Sequence, residues 1–107
     1  MSDEEPMSPT EEVSFALIAS AGTARSLAFE ALRLAKEGDF AQADELMGQS
    51  RAASLEAHHA QMDLLTREAS GDHLPVDVIL VHAQDHLMCA MLAQELIAEL
   101  IELYRTR

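Results

Sequence analysis

The sequence predicts an all-α fold, an antiparallel up-down-up bundle of three helices, and three observations carry that prediction. Of 107 residues, 49% are hydrophobic but only 4% are aromatic, and alanine and unbranched aliphatics favour helix over strand. Small and apolar residues recur at 4-3 spacing through three segments of about 30 residues, each roughly 45 Å long as a helix. Between them stand two short breaks, Gly38-Asp39 and Gly71 to Pro75. Connections this short make successive helices antiparallel neighbours.

Residues 1–8 are an acidic extension without periodicity, predicted to be disordered, and residues 9–107 form the single domain. The first helix opens at Ser8-Pro9-Thr10-Glu11, with Ser8 as cap, Pro9 at the first helical position and Glu11 completing a capping box. Its seam is Val13, Leu17, Ser20, Ala24, Leu27, Ala31 and Leu34, and Gly38 ends it. Asp39, with Gln42 at the capping-box position, opens the second. That seam is small: Ala43, Leu46, Ser50, Ala53, Ala57, Ala60 and Leu64. After Gly71, Pro75 sets up a third helix from about Val76 to about Tyr104. Its stripe is Val76, Ile79, Ala83, His86, Ala90, Ala93, Ile97, Leu100 and Tyr104. Leu80, Leu87 and Met91 lie outside the stripe, so this helix carries more apolar surface than two neighbours cover and should self-associate.

Nineteen acids against seven bases give a net charge of −12. Nucleic-acid binding needs Lys and Arg to displace counterions, and no basic stripe exists. The same deficit argues against anionic membrane surfaces. The N-terminus lacks a basic and then apolar leader. Gln94, Glu95 and Glu99 interrupt the apolar stretch Leu87–Ile101, which excludes it as a spanning helix. The lone Cys89 fits a reducing compartment and reads as a buried small hydrophobe. A cytoplasmic protein is expected.

The chemistry concentrates in Val81-His82-Ala83-Gln84-Asp85-His86-Leu87-Met88-Cys89. His82, Asp85, His86 and Cys89 stand at i, i+3, i+4 and i+7, one helical face. Within so apolar a segment, any of these groups that is buried needs hydrogen-bond partners, whereas a nucleophilic imidazole nitrogen has to be exposed. Three functions compete. His82 and His86 with Asp85 would suit a metal, with His58 or His59 as a further ligand, although the H-E-x-x-H glutamate is missing. Glu56-x-x-His59 has the form found in di-iron bundles, but no second such pair exists. Neutral imidazole, with an ordinary pKa of about 6.5, is also a good nucleophile for phosphoryl transfer. In that case Gln84, Asp85 or His86 would orient the group on His82. Spacing alone does not choose among them.

The string Leu80-Val81-His82-Ala83-Gln84-Asp85-His86-Leu87-Met88 resembles the signature of the lactose/cellobiose IIA family of the phosphoenolpyruvate-dependent sugar phosphotransferase system. Ser20 to Leu32 is similar to that family's first helix, Ala35 to Phe40 to its first turn, and Glu56-Ala57-His58 with Gln61 to its second helix. The resemblance runs from about Glu11 to Leu103. It implies a homotrimer of three-helix bundles. His82 would accept a phosphoryl group from phospho-HPr and pass it to a cysteine of the IIB component, and so serve the IIC permease in lactose-, cellobiose- or chitobiose-type uptake. Asp85 would sit at the threefold axis and bind a divalent cation, usually taken as Mg2+. His86 would lie beside the active centre. The competing expectation is a non-catalytic metal-binding or protein-interaction bundle that uses His82, Asp85 and His86.

Overall fold

Ser8 opens the first helix, α1 (Pro9–Lys36), by accepting a hydrogen bond from the Glu11 N–H at 3.2 Å. Only half of a capping box forms, because the Ser8 hydroxyl donates to the Glu11 carboxylate at 3.3 Å and that carboxylate does not reach the Ser8 N–H. The computed structural model describes residues 6–107, so the expected disorder of residues 1–5 lies outside the described residues. Gly38 takes φ 89°, and the Asp39 N–H closes the helix end on the Leu34 carbonyl at 2.9 Å. Asp39 then caps α2 (Phe40–Ala69), accepting from the Gln42 N–H at 3.2 Å. Gly71, at φ 90°, ends α2 by the same device, with Asp72 N–H bonded to Arg67 O.

The third helix, α3, runs Val78–Arg105, so it starts two residues later than expected. Pro75 is not its first residue. Asp77 caps it, accepting from the Leu80 N–H at 2.8 Å, and this leaves Val76 exposed in the connection.

The bundle is all-α among the described residues, with α1 packed against both other helices and α2 touching α3 far less. The buried seams keep Leu17, Ala24 and Ala31 in α1 but shift the alternate positions by one, to Ser14, Ala21, Ala28 and Ala35. In α2 the same shift brings in Met47, Ser54 and Gln61, and in α3 Leu80, Leu87, Gln94 and Ile101. Alanine explains the shift in α1: side chains this small let backbones approach, and Leu27 and Leu34 flank the contact as half-buried residues. By length and composition α1 is apolar enough to cross a membrane, but its alanine seam is the surface on which both other helices pack.

Gln94, whose polarity interrupts the apolar stretch, is 8% exposed and fully engaged. Its amide nitrogen donates to the Ser50 carbonyl and hydroxyl at 2.8 and 2.7 Å, and its oxygen accepts from the Ser54 hydroxyl at 3.0 Å. Ser50 in turn donates to the Ala24 carbonyl at 2.6 Å, which ties all three helices at one level.

Candidate functional site

Because the true buried stripe of α3 is Leu80, Ala83, Leu87 and Ala90, the face bearing His82, Asp85 and Cys89 turns outward. All three are exposed, which corrects the expectation of a buried Cys89 and leaves His82 open, as a nucleophilic imidazole requires. Half-buried His86 is the transition between core and surface. Its ring stacks on that of His82, with centroids 5.7 Å apart and planes 9° from parallel. Stacked rings meet through their faces, so no N–H of His86 is aimed at a nitrogen of His82.

The far side of His86 meets α1 at Gly22. A Cβ there would lie 3.6 Å from His86 Nε2, in ordinary contact with the ring. The glycine therefore leaves a shallow space beside the imidazole pair. Asp85 accepts a long contact from the Cys89 thiol, with Sγ to Oδ1 at 3.8 Å.

Gln84 stands apart. Two residues along a helix is a rotation of about 200°, so Gln84 points away from His82 of its own chain and towards α2. There its oxygen accepts from Gln61 Nε2 at 2.5 Å. Together with Val81, Asp85 and Met88, Gln84 lines an open groove of about 500 Å³ between α3 and the end of α2, walled by Leu64, Leu65 and Leu74. The sequence contained one sign of this groove: Val81 and Leu65 have no seam to fill, and both are exposed. Gly22 and Gln61 had no such sign, because each gains its place only when α1 or α2 packs on α3.

His58 and His59 do not complete a metal centre. His59 is exposed, and His58 is half-buried with its Nδ1 enclosed and without a hydrogen-bond partner. Among the described residues no group of three His, Cys, Asp or Glu side chains is placed to hold a metal within one chain.

Residues 12–105 match the family model described as PTS system, Lactose/Cellobiose specific IIA subunit. The chain belongs to this family. Among its relatives, the N,N'-diacetylchitobiose-specific EIIA component of Escherichia coli (strain K12) is 55% identical over 94 residues, covering 88% of this chain and 81% of the relative. The lactose-specific EIIA component of Lactococcus lactis subsp. lactis is 48% identical over 91 residues, covering 85% and 87%. Among solved structures, the cellobiose-specific enzyme IIA from Bacillus anthracis superposes with a TM-score of 0.91 at 48% identity, covering 94% of this chain and 93% of that one. The IIA(Chitobiose) of the Escherichia coli phosphotransferase system, solved in complex with HPr, gives 0.80 at 51% identity, covering 94% and 97%. As an IIA component of the chitobiose/lactose type, the chain is a phosphocarrier of the phosphotransferase system.

Proposed function

We propose that this IIA component works in the cytoplasm and carries the phosphoryl group on His82, taking it from phospho-HPr and giving it to a cysteine of the IIB component, which serves the IIC permease. One observation supports this above the others: His82 is the exposed member of the imidazole pair, stacked on a half-buried His86 that lies beside α1 at Gly22. A nucleophile that must meet two proteins in turn has to be exposed and yet held in one orientation. The HPr complex of the chitobiose relative supports the donor assignment.

In the first step a ring nitrogen of His82 forms a bond to phosphorus as the donor's phosphorus–nitrogen bond breaks, and that bonding pair returns to the donor imidazole. In the second step a IIB thiolate attacks the phosphorus and His82 recovers its lone pair.

The assembly proposed is a homotrimer. Asp85, Cys89, Leu92, Leu96, Glu99 and Leu103 follow 4-3 spacing, and all six are exposed. This second seam on α3, opposite the buried one, supports a parallel coiled coil of three copies. Around α3, His82 lies about 60° to one side of Asp85 and Val81 about 40° to the other. With Asp85 turned inward, His82 of one copy faces the groove of the next, where Gln84 stands.

A divalent cation fits this arrangement in the trimer and not in one chain. Each copy supplies a single carboxylate, and three converging Asp85 side chains make a hard oxygen-donor ring suited to Mg2+ with retained waters. The ion would neutralise the charge of that ring. The competing metal-binding bundle needs a ligand set that no single chain assembles among the described residues.

Incubation with phosphoenolpyruvate, enzyme I and HPr, then intact mass and peptide mapping, tests the assignment. One added phosphoryl group on the His82 peptide is expected. A label on His59 or His86 would overturn it.

A further inference from the structure

We propose that Gln61 is a positioning residue for phosphoryl transfer: it fixes the side-chain amide of Gln84 so that only N–H donors face the groove. The proposal rests on the trimeric phosphocarrier function above, in which that groove receives the phosphoryl group of a neighbouring copy's His82.

Gln61 is 7% exposed and stands between Ala57 and Leu64 on the buried face of α2. A leucine would fill such a place without the desolvation that an amide suffers, about 1–3 kcal/mol by mutational measure where no partner compensates. Packing therefore does not account for it. Its hydrogen bonds supply a reason. Gln61 Nε2 lies 2.5 Å from Gln84 Oε1 and 3.4 Å from Met88 Sδ. A thioether sulfur accepts weakly and donates nothing, so the atom facing it is the amide nitrogen and not the oxygen. With that choice made, Gln61 must donate to Gln84, and Gln84 must receive through its oxygen. What remains for Gln84 to offer is its NH2 group.

The consequence is chemical. A phosphoryl group presents oxygens that only accept. Donors already aimed at it stabilise the charge without reorganising during transfer, whereas an amide free to flip would present its own oxygen half the time. Gln84 is half-buried and lines the groove beside Asp85 and Val81, so its donors point where an incoming group would sit. No proton or electron pair passes through either glutamine, and the phosphorus–nitrogen exchange is as written above.

Gln61→Glu reverses the polarity at nearly constant volume. An ionised carboxyl at this position accepts from the Gln84 NH2 and turns its oxygen towards the groove. We expect an unchanged trimer mass and an unchanged KM for phospho-HPr. Turnover should fall about 10²-fold, the loss typical of one removed oxyanion donor. As pH is lowered the introduced carboxyl takes a proton, donates again to Gln84 Oε1, and turnover relative to wild type should recover. A purely structural role predicts no such recovery. Turnover equal to wild type, or a loss that is independent of pH, overturns the proposal.

Should Gln61→Glu fail to fold, the wild-type trimer still decides. On phosphorylation of His82 the Gln84 side-chain NH2 resonances must shift more than those of Gln61, and an unmoved Gln84 pair overturns the proposal. Wild type that takes no label on His82, or is monomeric, removes the underlying function and this inference with it. A labelled trimer with normal Gln61→Glu turnover removes the inference alone.

Discussion

The rings of His82 and His86 lie face to face, 5.7 Å apart and 9° from parallel, and this fixes what His86 can contribute. An orienting hydrogen bond or a proton relay is typically worth about 10²–10⁴-fold in rate. A stacked ring contributes less, about 0.5–1.5 kcal/mol, which is at most about tenfold. His82→Ala should abolish labelling from phospho-HPr with the fold intact, whereas His86→Ala should slow it by no more than about tenfold. His86→Phe, which keeps the stacked face, should label nearly as fast as wild type. Rapid-quench labelling separates the two roles: a loss of several hundredfold in His86→Phe would mean that a ring nitrogen matters and not the face.

Much of this architecture was legible because it depends on local chemistry. Ser8, Gly38, Asp39 and Gly71 each act within five residues of their own position, and they end or open helices as expected. Asp77 was missed because Pro75 offered a nearer start signal, although Asp77 has the side chain that a helix N-terminus needs. The seams were read at the right period but with alternate positions one residue off. Periodicity reports that a helix has a face; which neighbouring residue touches the partner depends on how closely two backbones approach, and the alanines of α1 set that. Among the site residues only His86 stood on the misread stripe, and Cys89 was expected to be buried because the segment around it is apolar. Spacing said nothing of Gln61 and Gly22, which only the family resemblance touches, for a different reason: their meaning depends on residues more than 20 positions away.

Gln94→Leu should destabilise the fold without touching transfer chemistry. The substitution strips three hydrogen bonds from a buried site and leaves the Ser54 hydroxyl with only the Arg51 carbonyl as acceptor. A lost intramolecular hydrogen bond costs about 0.5–1.5 kcal/mol, and each kcal/mol lowers the melting temperature of a domain near this size by about 4–8 °C. Gln94→Leu combined with Ser54→Ala should cost less than the two single changes added together, since both remove the same Ser54–Gln94 hydrogen bond. Circular-dichroism melts measure both, and a double variant less stable than the sum of the single ones would contradict this account.

Partner docking near His82 should depend little on salt. Outside the seam of Asp85 and Leu92, the surface around it offers Val81 and Met88, each at least half exposed. At −12 the whole chain is strongly acidic, but charges more than a Debye length from the contact, about 10 Å at 0.1 M salt, are screened there. Transfer rates from phospho-HPr measured between low and moderate ionic strength should change little, and Val81→Asp should weaken docking more than any such change of salt. A steep fall with salt would place charged steering ahead of apolar contact.

Asp85 sets the last expectation, because its charge has to be answered wherever three copies meet. For carboxylates roughly 5 Å apart at an effective dielectric of about 20, each like-charged pair costs about 3 kcal/mol. A ring of three must therefore take up protons or hold a cation, and near neutral pH the cation is the smaller demand. Light scattering should return close to three times the 11.7 kDa chain mass. Chelator should lower the melting temperature of the wild-type trimer. Asp85→Leu should keep the trimer and lose that sensitivity, since an apolar side chain removes the repulsion and extends the seam of Leu92, Leu96 and Leu103 by one more contact. The same variant should still accept phosphoryl on His82, because Asp85 lies about 60° around the helix from that ring. A monomeric mass would remove the axial site altogether. Chelator sensitivity that persists in Asp85→Leu would assign the metal to other residues.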